Sequence, residues 1–193
     1  MLRIAIVLGS TRPGRRGKAV ADWAYDQAAQ RADARFELID VADYGLPLLD
    51  EPRPAALEQY RHDHTKAWSE AISSFDGYVF VTAEYNHSVP GALKNAMDYL
   101  YREWNNKAAG FVSYGVNGGT RAVEHLRLIA AELQMADVRA QLALPLATEF
   151  ENYTTFTPSA RAVRSLGTVF DQVIAWAGAL QALRLPGGRD PGH

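Results

Sequence analysis

Gly9-Ser10-Thr11-Arg12-Pro13-Gly14-Arg15-Arg16-Gly17-Lys18 joins an apolar run, Ile4-Ala5-Ile6-Val7-Leu8, to a helical pattern that begins near Gly17. The run is short and apolar throughout, as a strand buried on both faces requires. The linking segment holds glycines at 9, 14 and 17, hydroxyls at Ser10 and Thr11, and four cations at Arg12, Arg15, Arg16 and Lys18. A strand-to-helix turn leaves backbone N–H groups unpaired at the positive end of the helix dipole, and these favour an anion. Guanidinium forks match phosphate oxygens two at a time. The segment therefore predicts a phosphate site, against the plainer reading of a solvated basic loop.

The known phosphate motifs narrow the anion. A Walker A loop ending at Gly17-Lys18 would need glycine at 12 and Ser or Thr at 19, where Arg12 and Ala19 stand. The dinucleotide pattern G-x-G-x-x-G fails because no glycine follows Gly9 two residues on, although Asp40 closes the next strand where a ribose acid would sit. Four cations suit a terminal phosphate dianion better than a pyrophosphate cradled by backbone, so a mononucleotide fits best.

Outward from this loop, two periodicities alternate. Val20, Trp23, Ala24 and Ala28 mark a helix; Arg35–Asp40 reads as a second strand; Asp43–Pro54 is a Pro-containing loop. Leu57, Tyr60, His64, Trp68 and Ala71 predict a second helix running to about Ser74. Tyr78–Thr82 is β-branched and aromatic, a third strand. Ser88 is a candidate N-cap for a third helix with Pro90 in its first turn and Ala92, Leu93, Ala96, Met97 and Leu100 as its stripe. Lys107–Tyr114 reads as a fourth strand, and Val123, Leu126, Ile129, Ala130 and Leu133 as a fourth helix. Val138–Leu144 reads as a fifth strand, and Val163, Leu166, Phe170, Val173, Ile174 and Ala177 as the last helix. Parallel neighbours need helical crossovers, so the alternation predicts an α/β fold. It is a doubly wound five-stranded parallel sheet with helices on both faces, filling one domain over residues 1–184, with a frayed tail at 185–193.

In the strand order 2-1-3-4-5, strands 1, 3 and 4 are neighbours and ligands bind beyond their carboxyl ends. Three loops then converge: Gly9–Lys18, Glu84-Tyr85-Asn86-His87-Ser88, and Ser113-Tyr114-Gly115-Val116-Asn117-Gly118-Gly119. The second can offer backbone groups to the edge of a planar heterocycle with Tyr85 beside it, and the glycines of the third admit close backbone approach. The plainer readings are a capped turn and a flexible connection.

Other residues read more plainly. Net charge is −2 with no long run of one sign, which argues against nucleic acid or a membrane surface as partner. The chain has no cysteine, which removes disulfides and thiolate chemistry and fits the cytoplasm. No stretch has the roughly 18 apolar residues of a membrane span, and no leader pattern opens the chain. His62 and His64, two apart on the predicted helix, make a poor metal pair, so no metal site is expected; His64 reads as packed and His125 as solvated. Trp23 and Trp68 read as core, while Tyr99, Tyr101 and Trp104 are open between packing and a pocket or interface. A second apolar line on the last helix, Val169, Val173, Trp176 and Leu180, points to an oligomer.

Three motifs together resemble the NADPH-dependent FMN reductase family: Gly9 through Gly17, Glu84 through Asp98 (Glu-Tyr-Asn-His-Ser-Val-Pro-Gly-Ala-Leu-Lys-Asn-Ala-Met-Asp), and Ser113 through Ala122. The resemblance runs from the first strand to the fifth. It departs at Ala83, where members often carry proline, a change that loosens the loop without removing its backbone contacts. The resemblance implies a flavodoxin-like fold, FMN held without a covalent link, and a homodimer or homotetramer. It implies that Ser10, Arg12, Gly17 and Lys18, with Arg15 assisting, hold the FMN phosphate. Glu84, Tyr85, Asn86 and His87 would line the ring, and Ser113, Tyr114, Gly115, Gly118 and Gly119 would close its other side. The implied reaction passes a hydride from NADPH or NADH to FMN and on to a quinone, azo, chromate or flavin acceptor, with no side chain assigned as a catalytic acid or base. A flavodoxin-type electron carrier and a nucleotide sensor without turnover share these loops. A carrier tends to bear a strongly acidic docking face, and −2 gives no sign of one.

Overall fold

The computed structural model describes residues 1–184; the tail expected to fray, 185–193, lies outside the described residues. Five parallel strands form one sheet in the order β2-β1-β3-β4-β5. They are β1 (Arg3–Leu8), β2 (Arg35–Asp40), β3 (Gly77–Ala83), β4 (Ala108–Gly115) and β5 (Ala136–Pro145). The order and direction are those the alternating pattern predicts.

Side chains alternate across the sheet, and this splits the core in two. Ile4, Ile6, Leu8, Val79 and Val81 face α1 (Gly17–Ala28) and the last long helix, α6 (Ala160–Leu180). Ala5, Val7, Tyr78, Phe80 and Phe111 face α2 (Asp63–Ser73), α3 (Gly91–Asp98) and α4 (Thr120–Glu132). Each large side chain removed from water contributes on the order of 1.5–3 kcal/mol, so β1 and β3, buried along nearly their whole length, anchor the sheet. A four-residue helix α5 (Leu146–Glu149) leads into a hairpin of β6 (Phe150–Glu151) and β7 (Thr155–Phe156). Phe150 and Phe156 pack their rings at a tilt with centroids 5.0 Å apart, and Phe156 meets Trp23 of α1 edge-on at 5.3 Å.

Several expectations need correction. The second helix starts at Asp63, not at Leu57: residues 55–57 form a single tight turn closed by Glu58 at φ 52°, and Leu57 is half exposed. His62 therefore precedes the helix in extended backbone, and its ring stacks on that of His64 at 5.2 Å instead of facing away. His64 also bonds Asp50 at 3.0 Å. No metal-holding group of His, Asp or Glu occurs among the described residues. Tyr99 and Trp104 are fully buried and serve packing, as do Trp68 and, in part, Trp23. The second line on α6 is broken: Val169 and Val173 are buried on the sheet, but Trp176 is 48% exposed. No helix among the described residues is long and apolar enough to cross a membrane.

Lys107, just before β4, is buried and donates to the carbonyls of Ile72 (3.2 Å) and Ser73 (3.0 Å) and to the Tyr78 hydroxyl (3.0 Å). Burial, then the nearby Arg184 cation, pushes its pKa down to about 7, even though three acceptors suit the ammonium form. Between that value and the ordinary 10.5 the unfolded chain binds more protons than the folded one. Stability should therefore rise with pH above about 7, by at most about 1.4 kcal/mol per pH unit, and show no pH dependence from this group below it, where the charged amine is buried at full cost. Tyr60 and Tyr78 are pushed upward and do not titrate in this window. Urea midpoints measured from pH 6 to 9 should show the rise in the wild type and a flatter profile in Lys107→Met.

Candidate active site

The loop after β1 leaves the sheet in register, with the Gly9 N–H bonded to the Val81 carbonyl of β3 at 3.0 Å. Ser10 is fully buried, and its hydroxyl lies 2.8 Å from that of Tyr85. The Arg15 N–H closes a turn onto the Arg12 carbonyl at 3.1 Å, through Gly14 at φ 67°. α1 then begins at Gly17 with no side chain capping its first turn.

The four cations part company. Arg12 is exposed at the mouth of a cavity of about 300 Å³, which Arg15, Arg16, Tyr85, Tyr114 and Thr154 also line. Arg15 is paired with Asp40 at the end of β2. The Nε of Arg16 is buried without a partner. Lys18 turns away onto its own helix, 2.6 Å from Asp22, and does not line the cavity.

Tyr114 supplies the cavity's other unpaired group. Its hydroxyl is buried and forms no well-aligned hydrogen bond among the described residues, although the Ser10 hydroxyl and the Gly17 N–H lie beside it, and burial pushes the phenol up to about 12, so it stays neutral at physiological pH. It lies over Gly17 so closely that a Cβ there would sit 2.5 Å from the hydroxyl oxygen.

The other two loops are tied to one another. The Glu84 N–H donates to the Tyr114 carbonyl at 3.3 Å, and the Glu84 carboxylate grips Arg121 near the start of α4. Tyr85 and Ser88 exchange both backbone bonds, at 2.9 and 3.1 Å, around Asn86 (φ 49°) and His87 (φ 74°). Two left-handed residues in a two-residue loop define a type I′ turn, which presents Asn86 and His87 to solvent. The third loop closes when the Gly118 N–H reaches the Gly115 carbonyl (3.0 Å) and the Ser113 hydroxyl donates to the Gly118 carbonyl (2.7 Å). Gly119 stands at φ 73° against the backbone of Tyr114, a place only glycine fits. Ala83 is the last residue of β3, and the loop after it keeps its backbone bonds without a proline at that position.

Of the residues singled out from sequence, the cavity gathers Arg12, Arg15, Tyr85 and Tyr114, with Ser10 one bond behind Tyr85 and Gly17 beneath Tyr114. Glu84, Ser113 and Lys18 spend their side chains on protein partners. Gly115, Gly118 and Gly119 form the adjoining turn. Ser88 is not the N-cap of α3, since Pro90 takes that place; its hydroxyl meets His125 at 2.8 Å, so His125 is not simply solvated. Thr154 was not foreseen, and Arg16 was counted among the loop's cations without a place of its own. Arg16 stood in the basic run with nothing to set it apart from its neighbours, and Thr154 lies on the β6–β7 hairpin, in no motif.

The chain is similar to known proteins in sequence and in fold. The chain is 41% identical over 157 residues to an NAD(P)H-dependent FMN reductase of Nectria sp, covering 76% of this chain and 77% of that one. It is 36% identical over 137 residues to a quinone reductase of Escherichia coli K12, covering 66% and 69%. The fold is shared with the flavoenzyme NAD(P)H:(acceptor) oxidoreductase of Paracoccus denitrificans, with a TM-score of 0.73 at 21% identity over 93% of this chain and 98% of that one. The family model for NADPH-dependent FMN reductases matches residues 2–149, from β1 to the end of α5. That stretch carries all three converging loops, and the chain is an oxidoreductase of the NADPH-dependent FMN reductase family.

Proposed function

We propose that the protein holds FMN by its phosphate at the loop after β1 and uses it to pass reducing equivalents from NADH or NADPH to a small-molecule acceptor. Quinones are the first acceptor class to try, with azo compounds, chromate and free flavin beside them. The observation that carries this reading is that two residues lining one cavity, Arg16 and Tyr114, each hold a buried polar atom without a well-formed partner. Among the described residues three buried side-chain polar atoms lack a partner, and two of them, the Tyr114 hydroxyl and Arg16 Nε, belong to cavity residues. Leaving such groups unpaired is costly, and a phosphate monoester satisfies both.

The residues present fit the group. Arg12, Arg16 and the uncapped N–H groups of α1 supply charge and donors for the dianion, and the Tyr114 hydroxyl adds a neutral donor. Arg15 already spends its charge on Asp40, so its part is to shape the wall. Ser10 orients Tyr85, and the turns at 85–88 and 115–118 flank the ring with backbone groups. Bound FMN supplies the two-electron chemistry; the chain supplies position and a preorganised polar surface. One domain over 1–184, a cytoplasmic setting and a homodimer or homotetramer complete the proposal, the last supported by exposed Leu48, Leu49 and Leu57 on one loop.

The test is direct. The purified protein, loaded with FMN, should be yellow and should bleach when NADPH is added without oxygen, and a quinone should restore the colour. A yellow protein that neither nicotinamide bleaches is an electron carrier, and a protein that takes up no FMN ends the flavin reading. Arg12→Ala should weaken FMN about tenfold while changing riboflavin, which lacks the phosphate, by less than about twofold. Equal losses for the two ligands in a fluorescence titration would remove the phosphate from this loop.

A further inference from the structure

The cavity leaves one part of the loop cluster without a role: the face of α4 that meets the 84–88 segment. Arg121 and His125 are four residues apart on this helix and so share that face, one turn apart. Arg121 takes Glu84 with Nε 2.7 Å from Oε1, and its backbone N–H donates to Oε2 at 3.1 Å. Glu84 thereby caps a helix that has no capping side chain of its own. Burial pushes this carboxyl up, but the Arg121 bonds outweigh burial and hold it below the usual range. One turn further on, His125 Nδ1 lies 2.8 Å from the Ser88 hydroxyl, and the His87 ring is 6.1 Å from that of His125.

Between these two attachments hangs the type I′ turn. Its second central position favours glycine, yet here it is His87 at φ 74°. A non-glycine residue in the left-handed region is costly, and such backbone persists only where the surroundings over-determine it. The surroundings do so at both ends: Glu84 is fixed on one side and Ser88 on the other, each to the same face of α4.

We propose that the Arg121–His125 face of α4 is a two-point clamp that presses the Tyr85–Ser88 turn into its strained shape beside the flavin ring, so that Ser88 and His125 are positioning residues for ring binding and for the potential of the bound flavin. The inference rests on the flavin reading above. It separates two duties: the loop after β1 holds the phosphate, and α4 sets the ring's neighbour. Loss of the clamp therefore acts on FMN and riboflavin alike, which loss of a phosphate ligand does not.

The experiment uses the full chain and the variants His125→Leu, Ser88→Ala, the double variant, and His125→Asn, whose amide keeps a polar atom near the place of Nδ1. FMN and riboflavin dissociation constants come from flavin fluorescence, and the midpoint potential from reductive titration of the bound FMN. His125→Leu and Ser88→Ala should each weaken both ligands about fivefold, the worth of one neutral hydrogen bond, and move the potential in the same direction. The double variant should be no weaker than either single one, and His125→Asn should stay within about twofold of wild type. Wild-type binding with unmoved constants and potential in His125→Leu and Ser88→Ala overturns the clamp alone, as does full additivity in the double variant. A wild-type protein that binds neither ligand overturns the flavin reading itself.

Discussion

Tyr114→Phe is expected to stabilise the FMN-free protein and at the same time to weaken its hold on FMN. The hydroxyl is buried without a partner, so the apo protein carries an unmet donor that costs on the order of 1–3 kcal/mol. Phenylalanine keeps the ring, which lies 6.4 Å from that of Phe150, and removes only the oxygen. A gain of about 1 kcal/mol corresponds to roughly 2–4 °C in the melting temperature of a chain this size. FMN affinity should fall about tenfold, because the neutral phenol, with its pKa near 12, no longer donates to the phosphate. Melting of the apo protein and titration with FMN read the two effects separately. A lower apo melting temperature would mean that the hydroxyl has a partner after all.

Gly17→Ala has the opposite signature on stability and the same one on binding. The new methyl would stand 2.5 Å from the Tyr114 hydroxyl and 2.9 Å from a Leu8 methyl, both inside contact distance. Overpacking of this kind costs about 1–3 kcal/mol. It also forces the Tyr114 hydroxyl from its place and moves the first turn of α1, so FMN affinity should fall by more than about tenfold. The two changes are coupled. With Tyr114→Phe in place the closest clash disappears, and Gly17→Ala should then destabilise less than it does alone. Additive losses across the four melting temperatures would place the strain at Leu8 instead.

The sheet was legible because it is simple. β1 is a short run, apolar from Ile4 and buried on both faces, and β2, which mixes apolar and charged residues, has the limits Arg35–Asp40 that the pattern predicts. Helical spacing alone was misleading at Leu57 and Tyr60, where it coincides with a tight turn: Pro54 and the left-handed Glu58 keep the chain out of a helix until Asp63. Glycines and cations led to the expectation of an anion site in the loop after β1. They did not tell which cation faces it, because Arg and Lys reach far enough for the choice to depend on distant carboxylates: Asp40 takes Arg15 and Asp22 takes Lys18. Ser88 was read as a helix cap because its type and place fit one; that its hydroxyl turns to His125, 37 residues away, is a fact of packing.

The β6–β7 hairpin separates part of the cavity wall from the elements that hold the fold together. Thr154 forms part of the cavity wall, yet residues 150–156 lie beyond the match to the family and outside the five-stranded sheet. Two aromatic anchors, Phe150 and Phe156, hold the hairpin against β4 and α1. Its tip, where Tyr153 is 58% exposed, bears none of the load of the core. Insertions or exchanges at that tip can reshape the cavity's rim while leaving the phosphate loop and the sheet untouched.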